Sequence, residues 1–127
     1  MQYIPVVKRD LEDVDYLVRI GRGRQSVKTP NDWVVIGKLF EFWTRRWPHE
    51  WQEFSKTIKL IKQTRKRKTG VGDAGLVKYV AALPPRFERL IKVIFPFQQF
   101  DKKFIYSLSN RIKIVKVGER NDAWFLV

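Results

Sequence analysis

Thr29-Pro30-Asn31-Asp32-Trp33-Val34-Val35-Ile36-Gly37-Lys38-Leu39-Phe40-Glu41-Phe42-Trp43-Thr44-Arg45-Arg46-Trp47 is the stretch that decides the fold. Thr29 offers a capping hydroxyl, and Pro30 the preset φ of a first helical turn. Asp32 is the acid that a capping box places three residues after the cap. Trp33, Ile36, Phe40, Trp43 and Trp47 then recur at helical spacing, while Val34, Val35, Leu39 and Phe42 widen the apolar surface. A helix so widely apolar belongs at the centre of a core, so the expectation is a mainly α molecule built around it.

Upstream, Gln2–Val7 reads as a short extended edge segment limited by Pro5. Leu11, Val14, Leu17 and Val18 predict one helix over Asp10–Ile20. Gly21-Arg22-Gly23-Arg24 ends it and opens a basic loop to Lys28. Downstream, Pro48 starts the next helix, expected to run to about Arg67, with Trp51, Phe54, Ile58 and Ile61 as its apolar stripe.

Gly-rich residues 69–75 form the expected hinge between an N-terminal helical part, residues 1–68, and a second part, residues 76–127, within one compact unit. Asp73 caps a helix carrying Leu76, Val77, Val80 and Leu83. Pro84-Pro85 stops it and starts another, with Phe87, Leu90, Ile91, Ile94 and Phe95 inward. Pro96 ends that helix. A third is expected from Phe97 to Asn110, turning Phe97, Phe100, Phe104 and Leu108 inward. Arg111-Ile112-Lys113-Ile114 then alternates with period two, so a strand continues to Val117, a loop spans Gly118–Asp122, and Ala123–Val127 returns. The predicted fold is thus a helical bundle with a small C-terminal β-hairpin. The order of elements over residues 73–127 resembles a winged helix–turn–helix. That resemblance implies a third helix lying in a major groove, and Lys116 and Arg120 on the wing near the backbone.

Composition narrows the function. The 127 residues suit one domain, and 44% are hydrophobic with 14% aromatic, enough for a real core. Cysteine is absent, which removes disulfide scaffolds, thiolate zinc sites and Fe–S clusters. Apolar runs such as Trp33–Gly37 and Ala123–Val127 fall far below the roughly 20 residues of a membrane span. Gln2–Val7 is too short for a signal-peptide core, and acids follow it. An intracellular or virion setting is expected, neither secreted nor transmembrane.

Lys and Arg number 26 against 13 acids, a formal charge of +13. A polyanion is the partner such an excess implies, and DNA or RNA is the foremost polyanion. The densest run lies between Phe54 and Gly72: Lys56, Lys59, Lys62, Arg65, Lys66, Arg67 and Lys68, with no acid among them. Arg22, Arg24 and Lys28 add to the field from the earlier loop. Gln98, Gln99, Lys102, Lys103, Asn110 and Arg111 are the remaining candidates, from the third helix, with side chains that reach base edges or phosphates. An isolated charge run is ordinarily a solvated face, but here the whole chain is two-to-one basic.

Catalysis finds little material. His49 sits in a first helical turn beside Glu50 and reads as a surface residue. Asp10, Glu12, Asp13 and Asp15 raise a Mg²⁺-dependent nuclease, yet a helix N-terminus accounts for them more simply. Gly70-Val71-Gly72-Asp73-Ala74-Gly75 matches G-x-G-x-x-G without the preceding strand or following acid of a dinucleotide site. No enzyme, metal or cofactor is expected. The Trp and Phe at core spacing face one another, so an anionic membrane is not the expected partner. The rival expectation is a structural component of a virion or ribonucleoprotein particle, contacting packaged nucleic acid or acidic protein partners.

Overall fold

Thr29 and Asp32 form the reciprocal cap that begins the central helix. The Thr29 hydroxyl accepts from the Asp32 amide at 3.2 Å, and the Asp32 carboxylate accepts from the amides of Thr29 (2.9 Å) and Lys28 (3.0 Å). The computed structural model describes residues 6–21, 23–66, 83–118 and 120–125, with backbone alone at 64–66, 117, 120 and 121. Among these lie helices α1 (Lys8–Asp13), α2 (Asp15–Ile20), α3 (Pro30–Arg46), α4 (Pro48–Lys66), α5 (Pro85–Ile94) and α6 (Lys102–Arg111). Strands β1 (Ile112–Val117) and β2 (Arg120–Phe125) follow. The protein is mainly helical with one small antiparallel hairpin.

α3 is the hub because apolar residues occupy most of its circumference. α2, α4, α5 and β2 all pack on it. Phe40, fully buried, meets four rings from four places in the chain: Trp43 at 5.7 Å, Trp51 at 5.2 Å, Phe87 at 5.5 Å and Phe125 at 5.6 Å. Each such pair adds about 0.5–1.5 kcal/mol beyond the area it buries. The stripes of α4 (Trp51, Phe54, Ile58, Ile61) and α5 (Phe87, Leu90, Ile91, Ile94) are buried as expected. Elements before and after residues 67–82 therefore share one apolar cluster. Val34, expected to widen the apolar face of α3, points outward and is exposed.

Polar contacts lock the frame. Glu50 at the α3–α4 elbow accepts from the Trp43 indole at 3.3 Å and from the Arg86 guanidinium of α5. Arg86 is buried and also lies over the Trp47 ring at 4.9 Å. Asp10, buried, accepts from Arg46 at the end of α3 (3.1 Å) and from the Val7 amide (3.1 Å).

Several boundaries differ from the sequence expectation. The first helix breaks at Val14 (φ −107°, ψ 12°) into α1 and α2, and it starts at Lys8 because Asp10 caps from inside the first turn. α1 thereby delivers Asp10 to Arg46, while α2 packs on α3 and α5. The last helix starts at Lys102, not Phe97. Asp101 is its N-cap, accepting from the Phe104 amide at 2.9 Å. Phe97 is 68% exposed rather than inward, and its amide donates to the Gln25 carbonyl at 2.9 Å. The hairpin is tighter than the loop expected over Gly118–Asp122. Val117 already pairs with Arg120 across a two-residue turn, and Gly118 takes φ +61°, a conformation glycine adopts without cost.

The expected hinge (69–75) and the expected Asp73-capped helix lie outside the described residues, save Leu83, which is buried. The first helix of the winged-helix order thus falls outside the described residues. Of what is described, α6 packs on α4 and β1, and β2 packs on α3. No helix among the described residues is long and apolar enough to cross a membrane.

Candidate nucleic-acid interface

α4 turns its apolar stripe to the core, which leaves Lys56 and Lys59 exposed on the polar arc. Lys56 pairs with Glu53 at 3.4 Å on open surface, a contact of small energetic weight. Lys62 is half-buried, and its ammonium donates to the Ile112 carbonyl, where α6 becomes β1. Lys62 thus stitches the basic helix to the hairpin rather than projecting into solvent. Lys59, Lys113, Asn110 and Lys116 are exposed on the elements that meet at this junction.

A second cationic group gathers around the start of α6. The Val27 amide donates to Gln98 at 2.7 Å, which ties the basic loop to the segment leading into α6. Arg24 and Lys28 on one side, and Gln99, Lys102 and Lys103 on the other, are exposed. Arg24 lies 3.6 Å from Asp32. Burial pushes the Asp32 carboxyl up, but the amides of Thr29 and Lys28, the Thr29 hydroxyl and Arg24 outweigh it, and the carboxyl stays below the usual range. Arg24 is therefore partly neutralised by a partner that is ionised at neutral pH.

Three candidates serve the fold instead of facing a ligand. Gln98 accepts from Val27 and donates to the Gln99 carbonyl at 2.7 Å, so its amide is occupied on both ends. Arg111 is half-buried, with its guanidinium stacked on the Trp33 ring at 4.4 Å. Its Nε is the one buried side-chain nitrogen without a partner among the described residues. Lys62 is the third. Arg22, Arg67 and Lys68, and the side chains of Arg65, Lys66 and Arg120, lie outside the described residues.

One residue was missed from the sequence. Trp124 on β2 is 58% exposed and pairs across the hairpin with exposed Lys113. Its alternation with buried-side Phe125 was the available signal, but Ala123–Val127 is apolar at every position and hides which residues face out. At the free edge of β2 a cleft of about 760 Å³ opens toward the α3–α4 elbow, with Trp51, Gln52, Glu41, Asp122 and Trp124 in its walls.

The early acids do not converge. Asp10 is buried on Arg46, Asp15 pairs with Arg19 at 3.1 Å, and Glu12 and Asp13 are exposed. No group of three or more metal-ligating side chains occurs among the described residues. His49 is exposed. Comparison with protein-family models, curated proteins and solved structures finds no match.

Proposed function

We propose that the chain is a non-catalytic nucleic-acid-binding protein, intracellular or carried in a virion. Lys and Arg from the α4 face, the 22–28 loop and the start of α6 grip phosphates, and exposed Gln99 and Asn110 offer base or backbone contacts. The single observation that carries this is the contact of Lys62 with the Ile112 carbonyl, which joins the basic helix to the hairpin at the C-terminal end of α6. The charges of α4 and of the hairpin, far apart in sequence, then add on one side of the fold, and fields of one sign concentrate polyanions. Mobility shifts of labelled duplex and single strands at two salt concentrations test it. A surface neutralising about six phosphates gives a slope of log K against log salt near −5. No salt-sensitive shift at micromolar protein would sink the proposal.

A role as a structural component of a large assembly is the second reading. Exposed Ile20 (63%) and Phe97 (68%) favour it. They lie on segments that meet, because Gly21 abuts Ile94 and Gln25 bonds to Phe97. Apolar groups clustered so mark contact surfaces. A chain that is monomeric in gel filtration and shifts nucleic acid alone decides against this second role.

A further inference from the structure

Trp124 is the large aromatic left standing on the outer face of the hairpin. The register fixes its surroundings. Ile112 with Phe125 and Ile114 with Ala123 turn inward, and Lys113 with Trp124 and Val115 with Asp122 turn outward. Lys113 is thus a direct cross-strand neighbour of the indole. On the opposite side, the free edge of β2 borders the cleft that holds Glu41, Arg45, Gln52 and Asp122. An exposed indole costs solvation in a molecule that buries Trp33, Trp43 and Trp51.

We infer that Trp124 stacks a base of single-stranded nucleic acid, with the neighbouring phosphate on Lys113 and the base edge turned into the cleft. The inference rests on the nucleic-acid reading above and adds strandedness to it. The lateral order supports this pose. A cation lies on the β1 side of the ring, where a phosphate is attracted. The cleft side is mixed: the Glu41 and Asp122 carboxylates accept from the amino and imino donors of a base, and Gln52 and Arg45 donate to its carbonyl and ring-nitrogen acceptors. A duplex keeps its bases stacked on one another and offers Trp124 no free face, whereas a single strand does.

The experiment uses the full chain and fluorescence anisotropy with a labelled cytidine decamer and a ten-base-pair duplex. Trp124→Ala is expected to weaken the decamer about tenfold and leave the duplex unchanged, since each stacked base contributes about 1–3 kcal/mol. Trp124→Phe keeps a ring and should recover most of that loss. Lys113→Ala should lower the salt slope for the decamer by about 1. An unchanged thermal midpoint in each variant shows that the fold is intact. Equal loss for both probes, no loss for either, or no recovery with Phe overturns the inference. If the decamer and duplex both bind but ignore Trp124, the phosphate grip survives alone. If neither binds, both readings fall together. A variant whose only change is loss of self-association in gel filtration makes this face a protein contact and also overturns it.

Discussion

Gly37 sits in the middle of the central helix, where glycine ordinarily weakens a helix by about 1 kcal/mol relative to alanine. A Cβ at this position would lie 2.5 Å from the Phe125 ring. That ring also stacks on Trp33 at 6.4 Å and tilts against Phe40 at 5.6 Å, so it cannot withdraw without uncoupling the hairpin from α3. Overpacking wins over propensity here. Gly37→Ala is expected to destabilise the chain by about 1–3 kcal/mol. Urea denaturation reads the loss, and faster amide exchange in β1 reads the loosened hairpin. An alanine variant of equal or greater stability contradicts the contact. Nothing in the sequence marks this glycine, because the close approach joins positions 88 residues apart.

At the scale of elements, legibility follows how local the determining interaction is. The cap of α3 was readable because Thr29, Pro30 and Asp32 determine it among themselves. The stripes of α4 and α5 were readable because one period holds over their whole length. The break at Val14 was not, since the apolar spacing runs through it and the distant partner Arg46 draws Asp10 aside. The start of α6 was misplaced because Phe97, Phe100, Phe104 and Leu108 keep helical spacing across a cap that Asp101 supplies. Of the candidate interface, the exposed lysines were legible from periodicity. The structural duties of Gln98, Lys62 and Arg111 were not, as each depends on a neighbour fixed by tertiary packing. The α3 cap also carries a pH signature. The carboxyl of Asp32 titrates below the 3.8 of an unperturbed aspartate, so the folded state holds its proton less tightly than the unfolded chain. Its contribution is complete above 3.8 and is lost as acid titrates the folded carboxyl. Asp32→Asn keeps the side-chain acceptor and removes the charge. Its thermal midpoint should fall below that of the parent at neutral pH, and the gap should narrow as the pH is taken below 3.8. A gap independent of pH would mean that ionisation of Asp32 is not what stabilises the cap.

At the scale of the whole molecule, the accessible cations form two groups rather than one sheet of charge. One comprises Arg24, Lys28, Lys102 and Lys103 about the start of α6, and the other Lys59, Lys113 and Lys116 on the elements that meet at its end, with Lys113 and Lys116 on opposite faces of β1. α6 joins them, and its ten residues span about 15 Å. Phosphates along one strand of a duplex are about 3.4 Å apart on the axis, so some four or five nucleotides reach from one group to the other. A ligand longer than this engages both, and the two groups then contribute independently to counterion release. The pair Lys28→Ala and Lys103→Ala should lower the salt slope by about 2, and so should the pair Lys59→Ala and Lys116→Ala. All four together should lower it by about 4 on a twenty-nucleotide probe. On a trinucleotide, too short to bridge the groups, removing both pairs should cost no more slope than removing the stronger one. Lys62 and Arg111 stay untouched in this series because their loss would disturb packing and charge at once. If either pair leaves the slope on the long probe unchanged, the nucleic acid runs over one group only, and α6 is a strut between a binding surface and a merely solvated one.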